Sequence, residues 1–146
     1  MILFFNTSAL IKRYIAEPGE KKVDELFALS SQIIVSPVTK IEAYSTLRRL
    51  FEEKNIEKAD YQELRDEIHY DFKYFTTLPL NQEVEKMAVD LIEKYQLKTL
   101  DSIQLASCLS KREVIDSIVV SDQKLKRAAE KENLEIIDPT EFELKS

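Results

Sequence analysis

One glycine, one cysteine, one histidine and no tryptophan stand among 146 residues. Each scarcity excludes a chemistry. With Gly19 alone, neither a GxGxxG nor a GxxxxGK[ST] phosphate loop can be written. The lone Cys108 cannot close an internal disulfide, which fits a reducing cytoplasm, the expected location. His69 and Cys108 together fall short of a zinc ligand set. His69 lies in the charged segment EIHYDF and reads as a surface residue, so a Ser-His-Asp or Cys-His nucleophile system is not expected. No stretch approaches the ~20 apolar residues of a membrane span, and the start lacks the basic and apolar regions of an export signal. The Asn6-Thr7-Ser8 glycosylation pattern carries no weight without export. Positive charge is also short: 21 Lys and Arg face 27 Asp and Glu, a net charge of −6. A chain that holds nucleic acid by phosphate neutralisation alone is usually basic. Any such role here is local and needs a metal ion or a basic partner.

What is present is a helix-rich globular composition, 44% apolar and 33% charged. The length suits one domain over 1–146, without repeats or linkers. Ile2–Phe5 reads as a buried strand, followed by a helix over 7–16 that Glu17-Pro18-Gly19 ends. A helix at 20–29 precedes a strand at 33–35. Ser36-Pro37 reads as a cap and first helical residue, opening a helix to about 54. A charged helix covers 57–73. A short strand lies within 76–80, at an edge because of Pro79. Asn81 caps a helix over 82–95, and another runs over 99–112. Strand 117–120, helix 122–132 and strand 134–137 complete the chain. Short β-branched strands alternating with helices predict a three-layer α/β/α sandwich around a mainly parallel sheet. Sites in such folds form beyond the carboxyl ends of the strands.

Four polar residues fall at such places: Asn6 after the first strand, Glu42 in the first turns after the second, Asp101 early in TLDSIQLASCL, and Asp122 after IVVS. Each has an ordinary reading. Asn6 and Asp122 are good caps, with Ser121 as rival to Asp122. Asp101 complements a helix dipole, and Glu42 can pair with Lys40 or Arg49 in solvent. Yet the helix that carries Asp101 is apolar nearly all round and therefore buried, where an unpartnered carboxylate is costly. Carboxylates converging in a dry cleft stay ionised only with a cation among them. Carboxylate oxygens suit Mg²⁺ or Mn²⁺.

Four segments together, FFNTSALIKRY, VSPVTKIEAYSTLRR, LKTLDSIQLASCL and IVVSDQKLKRAAEKENLEII, resemble the PIN-domain family, and most closely the VapC-type toxins of toxin–antitoxin pairs. The resemblance covers essentially the whole chain. It implies a metal-dependent endoribonuclease whose acids hold Mg²⁺ or Mn²⁺ at positions 6, 42, 101 and 122. It also implies a VapB-like antitoxin, whose C-terminal segment covers the site, and a homodimer; the helices at 20–29 and 38–54 have apolar faces that suit an interface. Ser8 is placed to hold a water or a phosphate. Lys12 and Arg13, with Arg48 and Lys98, are near enough in sequence to contact RNA backbone, or are plain surface charge. The departure is Asn6, where the family has aspartate. An amide is nearly isosteric with a carboxylate but carries no charge and takes no proton. It implies a kept fold and weakened catalysis, whether Asn6 is native or introduced to silence the protein. Two other readings stay open: a non-catalytic PIN-like module that binds RNA or a partner, and a PIN nuclease acting on DNA or in RNA processing outside toxin–antitoxin systems. A phosphotransferase receiver would need paired acids after the first strand, which FFNTSAL lacks.

Overall fold

The structure is a computed structural model and describes residues 1–145. Five strands, β1 (Ile2–Phe5), β2 (Gln32–Val35), β3 (Thr76–Thr77), β4 (Ser117–Val119) and β5 (Ile136–Ile137), form one sheet in the order β3-β2-β1-β4-β5. Every neighbouring pair is parallel, so the sheet is parallel throughout rather than mainly so. Between them run α1 (Thr7–Leu10), α2 (Glu20–Leu29), α3 (Thr39–Glu53), α4 (Lys58–Phe72), α5 (Gln82–Tyr95), α6 (Thr99–Ser110) and α7 (Gln123–Lys131).

The two-residue period of the strands sorts their side chains into two cores. Leu3, Phe5, Ile33, Val35 and Val119 point to one face, against Leu10, Val23, Leu26, Leu47 and Ile68. Phe4, Ile34, Ile118 and Val120 point to the other, against Val84, Leu91, Leu105, Leu109 and Leu125. Helices therefore cover both faces, and the expected α/β/α sandwich results. β3, with both threonines exposed, lies at an edge, as Pro79 foretold. Asn81 caps α5 as read, accepting from the Val84 amide at 3.0 Å.

Two expectations are corrected. The helix over 7–16 is only α1, followed by a 3-10 turn over Ile11–Arg13. Pro18 disfavours helical backbone at Glu17, and the chain tightens before it. Gly19 then adopts a φ of 101°, where an added Cβ would meet Pro139 at 3.0 Å, so this turn is where the single glycine is required. Ser36 does not cap α3, which begins at Thr39. Its hydroxyl instead accepts from the Val38 amide at 3.2 Å, while Thr39 Oγ1 accepts from the Ser36 amide at 3.2 Å. The pair closes a turn ahead of the helix.

β1 is flanked by β2 on one side and by β4 on the other, and the direction of winding reverses between β1 and β4. A crevice opens at such a switch point, beyond the carboxyl ends of the strands. Asn6 directly follows β1, and Ser121-Asp122 follow β4.

Candidate metal centre

At that crevice lies a cleft of about 390 Å³, lined by Asn6, Thr7, Ser8, Glu17, Glu42, Arg49, Asp101 and Asp122, among others. All four positions singled out in the sequence meet there, brought from four separate segments.

Asn6 is buried, and its backbone extends the sheet by donating to Val119 O at 2.9 Å. Its side-chain Oδ1 accepts from the Ser8 amide at 3.1 Å and from Ser8 Oγ at 2.5 Å. An N–H donor at that spot requires an acceptor, so chemistry fixes which end of the amide is oxygen. The carbonyl oxygen is thus engaged by Ser8, and Nδ2 is the end with no partner among the described residues. An aspartate would place a second oxygen where this NH₂ stands.

Ser8 Oγ uses its full capacity. It donates to Asn6 and accepts from the amides of Ser121 and Asp122 at 3.0 and 3.1 Å. The structure therefore makes Ser8 a strut tying the loop after β1 to the loop after β4. No lone pair or proton remains for the water or phosphate that sequence assigned to it. Asp122 is indeed the cap of α7, accepting from the Leu125 amide through Oδ1 at 2.8 Å, and its other oxygen has no hydrogen bond among the described residues. The carboxylate that caps α7 also lines the cleft. The rival cap, Ser121, has a buried hydroxyl without a partner among the described residues.

Glu42 does not reach into solvent for Lys40 or Arg49. Its Oε1 accepts from Thr7 Oγ1 at 2.9 Å and from Gln104 Nε2 at 2.6 Å. Asp101, in the first turn of α6, has neither a hydrogen bond nor an ion pair among the described residues. Its carboxyl is pushed above the ordinary aspartate range by burial first, then by the charges of Asp122 and Glu42; Lys124 and Lys98 only partly offset this. Three acids thus share one electrostatic environment with too little positive charge.

Lys12 and Arg13 are not at the centre of the cleft. The 3-10 turn buries Lys12, whose Nζ pairs with Glu17 at 3.3 Å. Arg13 reaches the far side, bonding Asp24 at 3.2 Å and Asp71 at 3.3 Å. Arg48 pairs with Glu52 at 2.7 Å, on the exposed face of α3. The arginine that does line the cleft is Arg49, whose Nε is 3.7 Å from Glu53 Oε1. Sequence reasoning also missed Gln104, which is fully buried. The available signal was an amide in an otherwise apolar stretch, three residues after Asp101 and so on the same helical face.

The donor set fits a hard divalent cation. Asp101, Asp122 and Glu42 each offer oxygen, and the raised Asp101 carboxyl reports a charge deficit that a cation would remove. As the side chains stand, no group of three or more His, Cys, Asp or Glu among the described residues is placed to hold a metal ion. Asn6 adds an amide to the same cleft.

A family model described as PIN domain matches residues 3–131. No curated protein matches. Among solved structures, a toxin–antitoxin complex from Klebsiella pneumoniae contains a chain with a TM-score of 0.66 and 20% identity, covering 94% of this chain and 97% of that one. VapBC-1 from nontypeable Haemophilus influenzae gives 0.63 and 16%, covering 96% and 99%. PAE2754 from Pyrobaculum aerophilum gives 0.68 and 14%, covering 99% and 94%. At these identities the structures speak to the fold, and they agree with the family model over almost the whole length: the chain belongs to the PIN-domain family.

Proposed function

We propose that this chain is a metal-dependent endoribonuclease, the toxin of a VapBC-type pair, folded as one PIN domain and weakened by Asn6. The observation that carries this is the convergence of Glu42, Asp101 and Asp122 on one cleft, with Asp101 left short of positive charge. Asp101, Asp122, Glu42 and, in an active form, an aspartate at position 6 would hold Mg²⁺ or Mn²⁺. The bound ion supplies charge neutralisation at the phosphate and activation of the attacking water.

The chain's own residues do the rest. Glu42 has Oε1 fixed by two donors and Oε2 unengaged, so Oε2 is the oxygen it would offer to the ion. The water oxygen bonds to phosphorus and gives up a proton to solvent as the bond from phosphorus to the 3′ oxygen breaks, and the 3′ oxygen takes a proton from solvent, leaving a 3′-hydroxyl and a 5′-phosphate. Arg49 brings positive charge to the cleft wall, where a phosphate would approach. Asn6 turns an N–H toward the place where a ligand oxygen is needed, and so fails both as ligand and as charge. That structures of the same fold include a toxin–antitoxin complex and VapBC-1 supports an antitoxin partner. A homodimer and a cytoplasmic location complete the reading; no helix among the described residues is long and apolar enough to cross a membrane.

The test is Asn6→Asp. RNA cleavage with Mn²⁺ rises at least about a hundredfold, since a direct ligand should outweigh the 10–100-fold of outer-shell groups. Calorimetric Mn²⁺ binding tightens with it, and Glu42→Gln in that form abolishes the gain. If the Asp form neither binds Mn²⁺ nor cuts RNA, the nuclease reading fails and a PIN-shaped interaction module takes its place.

A further inference from the structure

Gln104 sits in α6 among Leu105, Ala106 and Cys108, all fully buried, and is itself fully buried. Its Oε1 has no hydrogen-bond partner among the described residues. A leucine or methionine would fill that space without leaving a polar atom unsatisfied. The compensating feature lies at the other end of the amide. Nε2 approaches three oxygens: Glu42 Oε1 at 2.6 Å, Thr7 Oγ1 at 3.0 Å and Thr39 Oγ1 at 3.0 Å. Reversing the amide would set oxygen against carboxylate oxygen, so the charge of Glu42 fixes the orientation.

The protons can be followed. Thr7 gives its hydroxyl proton to Glu42 Oε1. Gln104 gives the same oxygen a second proton, and its remaining N–H falls between the two threonines. Thr39 in turn meets Ser36, by the Ser36 amide at 3.2 Å and its hydroxyl at 2.9 Å. One carboxylate oxygen of Glu42 is therefore held from two elements, α1 and α6, and the other is left to the cleft.

We propose that Gln104 is a positioning residue. With Thr7 it pins Oε1 of Glu42, keeps the side chain off the neighbouring cations, and presents Oε2 alone to an incoming divalent cation. The inference rests on the metal-site reading above, but its test separates the two. Gln104→Met keeps length and volume while removing both donors. In the Asn6→Asp form it should weaken calorimetric Mn²⁺ binding about tenfold, with an unchanged or higher thermal midpoint. In the unsubstituted chain, without metal, the two side-chain amide protons of Gln104 should be slow to exchange in NMR spectra, and Glu42→Gln should shift both. A folded Gln104→Met protein that binds Mn²⁺ as tightly as its parent overturns the proposal. So do amide signals that ignore Glu42→Gln. If the Asn6→Asp parent binds no Mn²⁺, or Gln104→Met does not fold, the amide signals alone decide whether Gln104 holds Glu42.

Discussion

Asp138 and Asp101 are two carboxylates partly withdrawn from water, one at the end of β5 and one at the start of α6, and the fold provides for them in opposite ways. Asp138 is surrounded by donors. Its Oδ1 accepts from the amide and hydroxyl of Thr140 at 3.0 and 2.7 Å, its Oδ2 from Lys126 at 3.1 Å and Gln123 at 3.2 Å. Burial raises its carboxyl, but the bonds from Thr140 and Lys126 outweigh that and hold it below the ordinary range. Asp101 has burial, two like charges and no donor, and is raised. Burial alone does not mark a functional acid. What separates the two is whether the polypeptide supplies the counter-charge itself or leaves it to be supplied from outside.

Breaking the comparison on its structural side has the largest effect on stability. Asp138→Asn leaves Lys126 with Glu141 only and loses charge-assisted bonds, costing about 2–3 kcal/mol in denaturant unfolding. Because the native carboxyl of Asp138 is depressed, its contribution is present above the ordinary aspartate range. It fades as pH falls through the depressed value, and the difference between parent and variant should shrink in acid. Next in size is the effect of a cation. In the Asn6→Asp form, Mn²⁺ at ten times its dissociation constant adds about 1.4 kcal/mol by linkage. Asp138→Asn should keep that increment, and Asp101→Asn should lose most of it. The smallest effect has the opposite sign. Without metal, Asp101→Asn raises the thermal midpoint slightly. The raised native carboxyl costs stability as pH climbs from the ordinary value of 3.8 through the raised one, so the gain is greatest near neutrality and disappears in acid. A destabilised Asp101→Asn at neutral pH would mean that Asp101 is a structural acid like Asp138.

Of the four positions that meet in the cleft, Asn6 and Asp122 were legible because they occur at junctions that hydrophobic patterning locates well: a short apolar run, then a polar residue, then a helix. The sheet's two-sidedness was legible for the same reason, since ILFF, IIV and IVV are apolar at consecutive positions and so face two cores. Side-chain direction was not. Lys12 and Arg13 adjoin the site in sequence, yet the 3-10 turn sends one inward to Glu17 and the other across to Asp24 and Asp71. A change of helical pitch over three residues leaves no trace in periodicity. Gln104 was hidden by its neighbours: in an apolar helix one amide reads as an imperfection, and its partners Thr7 and Thr39 are 97 and 65 positions away. The bonds from Ser121 and Asp122 to Ser8 were not legible either, because they exist only once β1 and β4 lie side by side.

That last pairing bears on synthesis. Ser8 joins its partners across 113 and 114 positions, and β4 takes its place beside β1 only when residues near 120 are available. Domains emerge from the ribosome amino end first. The N-terminal portion can build β1, β2 and their helices, but it lacks one wall of the crevice and two of its acids. A chain not yet extended to those residues therefore has no assembled centre, and whatever chemistry the crevice performs begins only after the residues near 122 have emerged.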